Sequence, residues 1–459
     1  MALKPEGRLV DFLQESRFAD LPGETVAFMK DIVLGIFGTT VAGCREDGCT
    51  AVRELVREWG GREQATVLGY GDRVPAANAA LVNGTMARAL DFDEVLHGPG
   101  AGACHAGALA VPAALAVAEL RGGATGQEFL AALVPGMEIA ARINAVTYYD
   151  GVEGTGFCGI FASTAIAGKL LGLSREQLFH AFGLALNRAS GTLQNYTEHT
   201  LAPRLVEGWA ARDGITCAQL AQRGVTGPRE FLTGPYGYFH LFNRDRYDLQ
   251  ALTGSLGRDY YFTRAEFKKA PFCGGMIDAI GAVTALVKEK GLTAEAVAGV
   301  EVRLPDSLRL IVGNPFIPGA NPKVTAQFSI QYGIASVLLR GGCRLHDFSE
   351  ESIREPAIAR LIEKIRVDAS PDSRTTIAIT TGDGADFTVS VDAPHGPAHP
   401  PTPEEHLSHF RECLRYAREA GTALPDAEKL PMLVGKLEKL EDVRTLLPYL
   451  VSPFVNSHR

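Results

Sequence analysis

At 459 residues, 46% of them apolar and 21% charged, the chain exceeds what one hydrophobic core usually serves, since single cores rarely grow past about 250–300 residues. Its net charge of −8 excludes a broad nucleic-acid surface, so an anionic substrate would need a local cationic pocket.

In chain order, the opening "MALKPEGRLVDFLQ" has no secretory h-region. No run of about 18 apolar residues stands out, so no membrane span and a cytoplasmic location are expected. Residues 24–43 read as a helix, with Val26, Met29, Val33, Ile36 and Phe37 at helical spacing and Gly43 able to end it. Further helical segments fall at 76–90, 107–120, 126–145, 159–173 and 175–189. They are rich in Ala and Gly and apolar on most faces, so their axes should approach closely and the inner helices should be nearly all buried. Pro112 lies inside one of them and is expected to kink or break it.

From about residue 260 the texture changes. "VAGVEVRLP" (297–305) alternates, and "TTIAIT" and "DFTVSV" flank a "TGDG" turn as a β-hairpin. "APHGPAHPPTPEEH" (393–406) is Pro-rich and followed by a helix-start signal, and helical stretches at 403–420 and 426–449 close the chain. The layout expected is mainly α: a helical domain over 1–262, an α+β domain over 263–400, and a helical return over 401–459. Eight cysteines, none in a CxxC pair, argue against a zinc ribbon or the common iron–sulfur spacings and for reduced thiols.

Chemistry concentrates in "ALDFDEVLHGPGAGACHAG" (89–107), where Asp91, Asp93, Glu94, His97 and His105 crowd a glycine-rich loop before an apolar helix. Glycines let backbone approach a ligand, a helix N-terminus favours a carboxylate, and a histidine there can move protons near neutral pH. The plainer alternative is that the aspartates cap and turn the chain. "EFKKAPFCGGMIDAIGAV" (266–283) places Lys268 and Lys269 before a Gly-Gly turn, suited to a polycarboxylate or simply solvated. Lys323 is expected in a loop and Tyr332 on an apolar helix, where a tyrosine usually just hydrogen-bonds its hydroxyl. Arg204, expected in a loop before a helix, could grip a carboxylate in bidentate fashion. Glu153 sits in a glycine-rich loop that lacks the dinucleotide fingerprint.

Taken together, "VNGTMARALDFDE", His105 followed by "LAVPAALAVAE", "FKKAPFCGG" and "FSIQYGIASVLL" resemble, in this order, the MmgE/PrpD family. The resemblance implies a large all-helical domain with a smaller α+β lid, a homodimer, and an enzyme needing no metal or organic cofactor. It implies His105 as catalytic base, Asp91 as its orienting partner, and Lys268 and Tyr332 as further catalytic groups. Arg204, Lys269, Lys323, Glu153, Asp93 and His97 would then contact a small polycarboxylic acid, with no nucleic-acid or membrane partner. Some positions depart from the pattern: Val95 stands for a threonine, Glu153 and Ile277 for histidines, and Pro203 for a lysine. The expected activity is a 2-methylcitrate dehydratase-like lyase with a different substrate. The alternatives are an epimerase of the iminodisuccinate type and a non-catalytic polycarboxylate-binding paralogue.

Overall fold

The computed structural model describes residues 4–99, 102–392 and 401–453. The chain divides into two compact units. One takes Met1–Thr192, Arg204–Phe267 and Gly396–Arg459; the other takes Leu193–Pro203 and Lys268–His395. The Pro-rich positions 393–400, and the 400/401 boundary expected there, lie outside the described residues.

The first unit is helical. Its principal helices are α1 (Gly23–Ala42), α2 (Ala76–Arg88), α3 (Ala106–Leu120), α4 (Gly126–Ala145), α5 (Ile160–Leu170), α6 (Arg175–Leu186) and α7 (Pro203–Gln222). Helix Pro403–Glu419 packs back on α1. Capping boxes start three of these helices: Thr125 with Glu128, Ser174 with Gln177, and Thr402 with Glu405. Each satisfies backbone N–H groups that a helix end leaves orphaned.

Segment Gly23–Arg45 is long and apolar enough to cross a membrane by length and composition only. Yet 72% of its apolar window is buried within the protein, where Ile32, Val33, Ile36 and Phe37 join the core. Nearly all of α3 is buried too. It runs through Pro112 without a break. Pro112 is buried and α3 packs against α2, α4 and α5, and this packing outweighs the one hydrogen bond that proline cannot make. Helices α2 and α7 approach backbone to backbone where they cross. A Cβ on Gly208 would lie 2.3 Å from the Leu81 carbonyl oxygen, and one on Gly84 would lie 3.0 Å from the Gly208 Cα, so the approach depends on glycine.

The second unit is built on a four-stranded sheet. Two short strands of the first unit, β1 (Leu96–His97) and β2 (Ala103–Cys104), pair with each other. The sheet itself comprises β3 (Val297–Leu304), β4 (Ile365–Ala369), β5 (Thr375–Thr381) and β6 (Asp386–Val391) in the order β4-β3-β5-β6. Strand β3 is parallel to β4 and antiparallel to β5, and β5–β6 is the expected hairpin. Val300, Val302, Leu304, Ile377 and Ile379 face a core shared with α8 (Ile277–Lys290) and α9 (Ile330–Arg340). Near the C-terminus the helical stretch expected over 426–449 is fragmented. Only Leu430–Gly435 is α-helical, flanked by 3₁₀ turns at Ala427–Lys429, Leu437–Lys439 and Val443–Tyr449. Pro431, Gly435 and Pro448 interrupt the pattern.

Candidate active site

The crowded stretch 89–107 folds into a buried charge network within the first unit. Helix α2 ends at Arg88, and Asp91 takes a left-handed backbone (φ 50°). Few side chains other than Asn and Asp tolerate that region. The turn folds the Asp91 carboxylate back onto the Arg88 guanidinium in a very short ion pair. Asp93, two residues on, is enclosed and lies 3.7 Å from the same guanidinium. Glu94 reaches over the start of α3 and accepts the Gly107 N–H at 2.5 Å. This is the placement a helix N-terminus favours for a carboxylate.

His105 is the residue just before α3. Its backbone N–H donates to the Thr155 hydroxyl at 3.0 Å, which fixes the residue from a second segment. Its Nδ1 is 2.8 Å from Asp93 Oδ2 and 3.1 Å from the Glu94 carbonyl. Both partners accept, so Nδ1 carries the hydrogen and Nε2 carries the lone pair of the neutral ring. The arrangement is an imidazole whose tautomer is set by a buried carboxylate. It corrects one expectation: Asp93, not Asp91, orients His105, and Asp91 serves Arg88.

Arg88 also donates through Nε to Glu207 Oε1 on α7, at 3.1 Å. Glu207 is 0% exposed. Burial holds its carboxyl well above the usual range; Arg88 opposes that shift, and Glu153 and Asp93 add to it. Donor atoms of Asp91, Asp93 and His105 lie within 4.8 Å of one another. Arg88 supplies positive charge to both aspartates, which ties the cluster into an ion-pair network.

Glu153 is buried in the loop before α5, and its Oε2 accepts the Gly156 N–H at 2.8 Å. Burial raises its carboxyl, against the pull of that N–H, of Arg88 and of Thr155. Arg204 stands in the first turn of α7 rather than in a loop. It donates to the Asp47 carbonyl at 2.7 Å and faces Glu46 at 3.6 Å. His97 pairs with Glu266 at 3.1 Å.

Lys268, Lys269, Lys323 and Tyr332 belong to the second unit. Lys268 is only 1% exposed, an unusual position for a lysine. Lys269 is exposed. Lys323 occupies the first turn of the short helix Pro322–Gln327, not a loop. Tyr332 is fully enclosed, and its hydroxyl donates to the Asp347 carbonyl. Burial pushes that phenol well above its ordinary range. A phenol so placed ties α9 to the turn Leu345–Phe348, and proton delivery would require that bond to open.

Sequence reasoning missed Arg88, Glu207, Thr155 and His409. Arg88 stands three residues before Asp91, so its pairing was legible. His409, on helix Pro403–Glu419, carries no local signal. It donates through Nε2 to the Phe92 carbonyl at 2.9 Å and lies against the Phe92 ring at a tilt of 31°, centroids 4.1 Å apart. It therefore pins the backbone between the two aspartates.

Residues 7–250 match the MmgE/PrpD N-terminal domain and residues 270–424 the MmgE/PrpD C-terminal domain. The chain belongs to the MmgE/PrpD family. Among its MmgE/PrpD relatives, the cis-aconitate decarboxylase of Homo sapiens is 26% identical, over 92% of this chain and 90% of that protein. The cis-aconitate decarboxylase of Aspergillus terreus is 25% identical, over 95% and 93%. The 2-methylcitrate dehydratase of Escherichia coli (strain K12) is 26% identical, over 46% and 44%. These relatives are enzymes, a decarboxylase and a dehydratase by name, which supports enzyme status for this chain.

Proposed function

We propose that the protein acts at the carbon next to a carboxylate of a small di- or tricarboxylic acid, as a dehydratase-like lyase whose substrate differs from 2-methylcitrate. The observation that carries this reading is the His105–Asp93 pair, a buried imidazole held in one tautomer with its lone pair on Nε2. In the proposed step Nε2 takes the proton from the carbon α to a carboxylate. The electron pair of that C–H bond becomes the new C=C bond as the neighbouring C–O bond breaks and hydroxide leaves, and the proton taken up by Nε2 passes to that hydroxide to give water. Charge building on the carboxylate needs fixed cations. Lys268 is proposed for that role on the family resemblance, with Lys269, Lys323 and Arg204 as supplements.

Decarboxylation is the second reading, favoured by one observation. Cis-aconitate decarboxylases are among the relatives matched over most of the chain, whereas the 2-methylcitrate dehydratase of Escherichia coli is matched over under half of it.

NMR in heavy water on cis-aconitate, citrate, 2-methylcitrate and aspartate-like acids tests both readings. Expected is deuterium uptake at an α-carbon with water loss from a hydroxy acid, reduced at least ~10²-fold in H105A, the usual scale for a general base. Evolution of CO2 without water loss would select the second reading. Retention of every acid unchanged, with binding seen by calorimetry, would overturn both and leave a polycarboxylate-binding protein.

A further inference from the structure

The base does not stand on Asp93 alone. Asp93 lies between two cations-in-waiting: the imidazole of His105 on its Oδ2, at 2.8 Å, and the guanidinium of Arg88 toward its Oδ1, at 3.7 Å. How strongly Asp93 stabilises a protonated His105 depends on how far Arg88 neutralises it. Arg88 is a rigid fork, so the position of its Nη1 end follows from where its Nε end is held. Nε is held by Glu207 Oε1 at 3.1 Å, in a region where both side chains are almost wholly buried.

The backbone supports this anchoring. Glu207 adjoins Gly208, and Arg88 lies one turn beyond Gly84. These two glycines are the point where α2 and α7 touch backbone to backbone. The separation of Arg88 and Glu207 is therefore fixed by helix packing rather than by flexible side chains.

We propose that Glu207 is a positioning residue for the His105 base: by accepting the Arg88 Nε–H it holds the guanidinium on Asp91 and away from full contact with Asp93. This deepens the proposed role of His105 and rests on it. Burial favours the neutral form of Glu207, so what Arg88 needs there is an acceptor oxygen rather than a second full negative charge. Among the described residues, the other titratable or charged groups around this set include Asp91, Glu94, Cys104, Cys158, Glu153 and His409. All remain in place in the variants below.

The test is an NMR titration of His105 in the full-length protein labelled with ¹³C-histidine, assigned by loss of its signal in H105A. In E207A the freed Arg88 closes on Asp93, the imidazolium loses part of its partner, and the His105 midpoint falls by about one pH unit, the lower end of what a neighbouring charge does. E207M fills the same volume without an acceptor and is expected to shift in the same way, so the test survives if E207A does not fold. E207Q keeps an acceptor oxygen and is expected to hold the wild-type midpoint. A midpoint unmoved in E207A and E207M would overturn the proposal, and so would E207Q behaving like E207A. The titration needs no substrate. It therefore stands even if the polycarboxylate panel shows no turnover, a result that would strike the proposed reaction and leave the Glu207 assignment intact.

Discussion

Replacing Asp93 by Asn is the sharpest test of the base assignment. Asp93 Oδ2 sits 2.8 Å from His105 Nδ1 with the carboxylate shielded from solvent. At an effective dielectric of 20, a full charge pair at that separation is worth at most about 6 kcal/mol. Part of the orientation survives, because the Glu94 carbonyl also accepts from Nδ1 at 3.1 Å. The expected loss is about 3–4 kcal/mol of transition-state stabilisation, or ~10²–10³-fold in the rate of α-proton exchange. The sign on pH follows as well. Without the carboxylate the imidazolium is less favoured, so the limb of the pH–rate profile reporting His105 moves to lower pH while the plateau falls with the weaker base. D91N is the control. Asp91 contacts Arg88 rather than the ring, so its effect on that limb should be the smaller of the two. The assay is deuterium incorporation followed by NMR from pH 5 to 9, on whichever acid of the panel exchanges. An intact limb and plateau in D93N, or a larger limb shift in D91N, would refute the reasoning.

Other outcomes follow from the same geometry. A Cβ on Gly107 would collide with the Glu94 carboxylate that caps α3, so G107A should destabilise by about 1–3 kcal/mol, read as a lower urea midpoint with an unchanged slope. Burial lowers the His409 imidazole to about 4, against 6.5 for its ordinary value. The folded form therefore takes up a proton later than the unfolded form, and stability present above pH 6.5 drains as pH falls toward 4. Between pH 7 and 5 this amounts to at most about 2 kcal/mol; H409Q should flatten that slope in urea titrations, and an unchanged slope would discard His409 as its source. All eight cysteines are thiols, seven of them buried and only Cys273 half-buried, so native protein should label rapidly with a thiol reagent at one site per chain. Glu153→Gln should retain the fold and redistribute rates across the acid panel; identical rates on every acid would confine Glu153 to holding the Gly156 turn.

Much of the helical unit was legible because its signals are local. Thr125 and Glu128 announce the start of α4, the Ala-rich runs have few other ways to bury their faces, and the "TGDG" turn fixes the β5–β6 hairpin. The active-site stretch was legible in composition and place, but not in pairing. Asp91 and Asp93 alternate around Phe92, and nothing in that pattern says which one meets His105. The left-handed backbone at Asp91 decides it by turning that carboxylate back on Arg88. Glu207 and His409 were hidden because their partners lie 119 and 317 residues away. The 426–449 region failed for the opposite reason, since its leucines keep helical spacing while Pro431 and Pro448 remove the N–H groups a continuous helix would use.

The glycine crossing of α2 and α7 bears on how this enzyme could be re-engineered. Side chains at that junction have no slack to exchange, because main chain rests on main chain. Libraries aimed at new acids should leave positions 84 and 208 untouched and vary the residues that greet the incoming molecule. A methyl group added at either glycine would pry the two rods apart and disturb the Arg88–Glu207 contact before any change of preference could register.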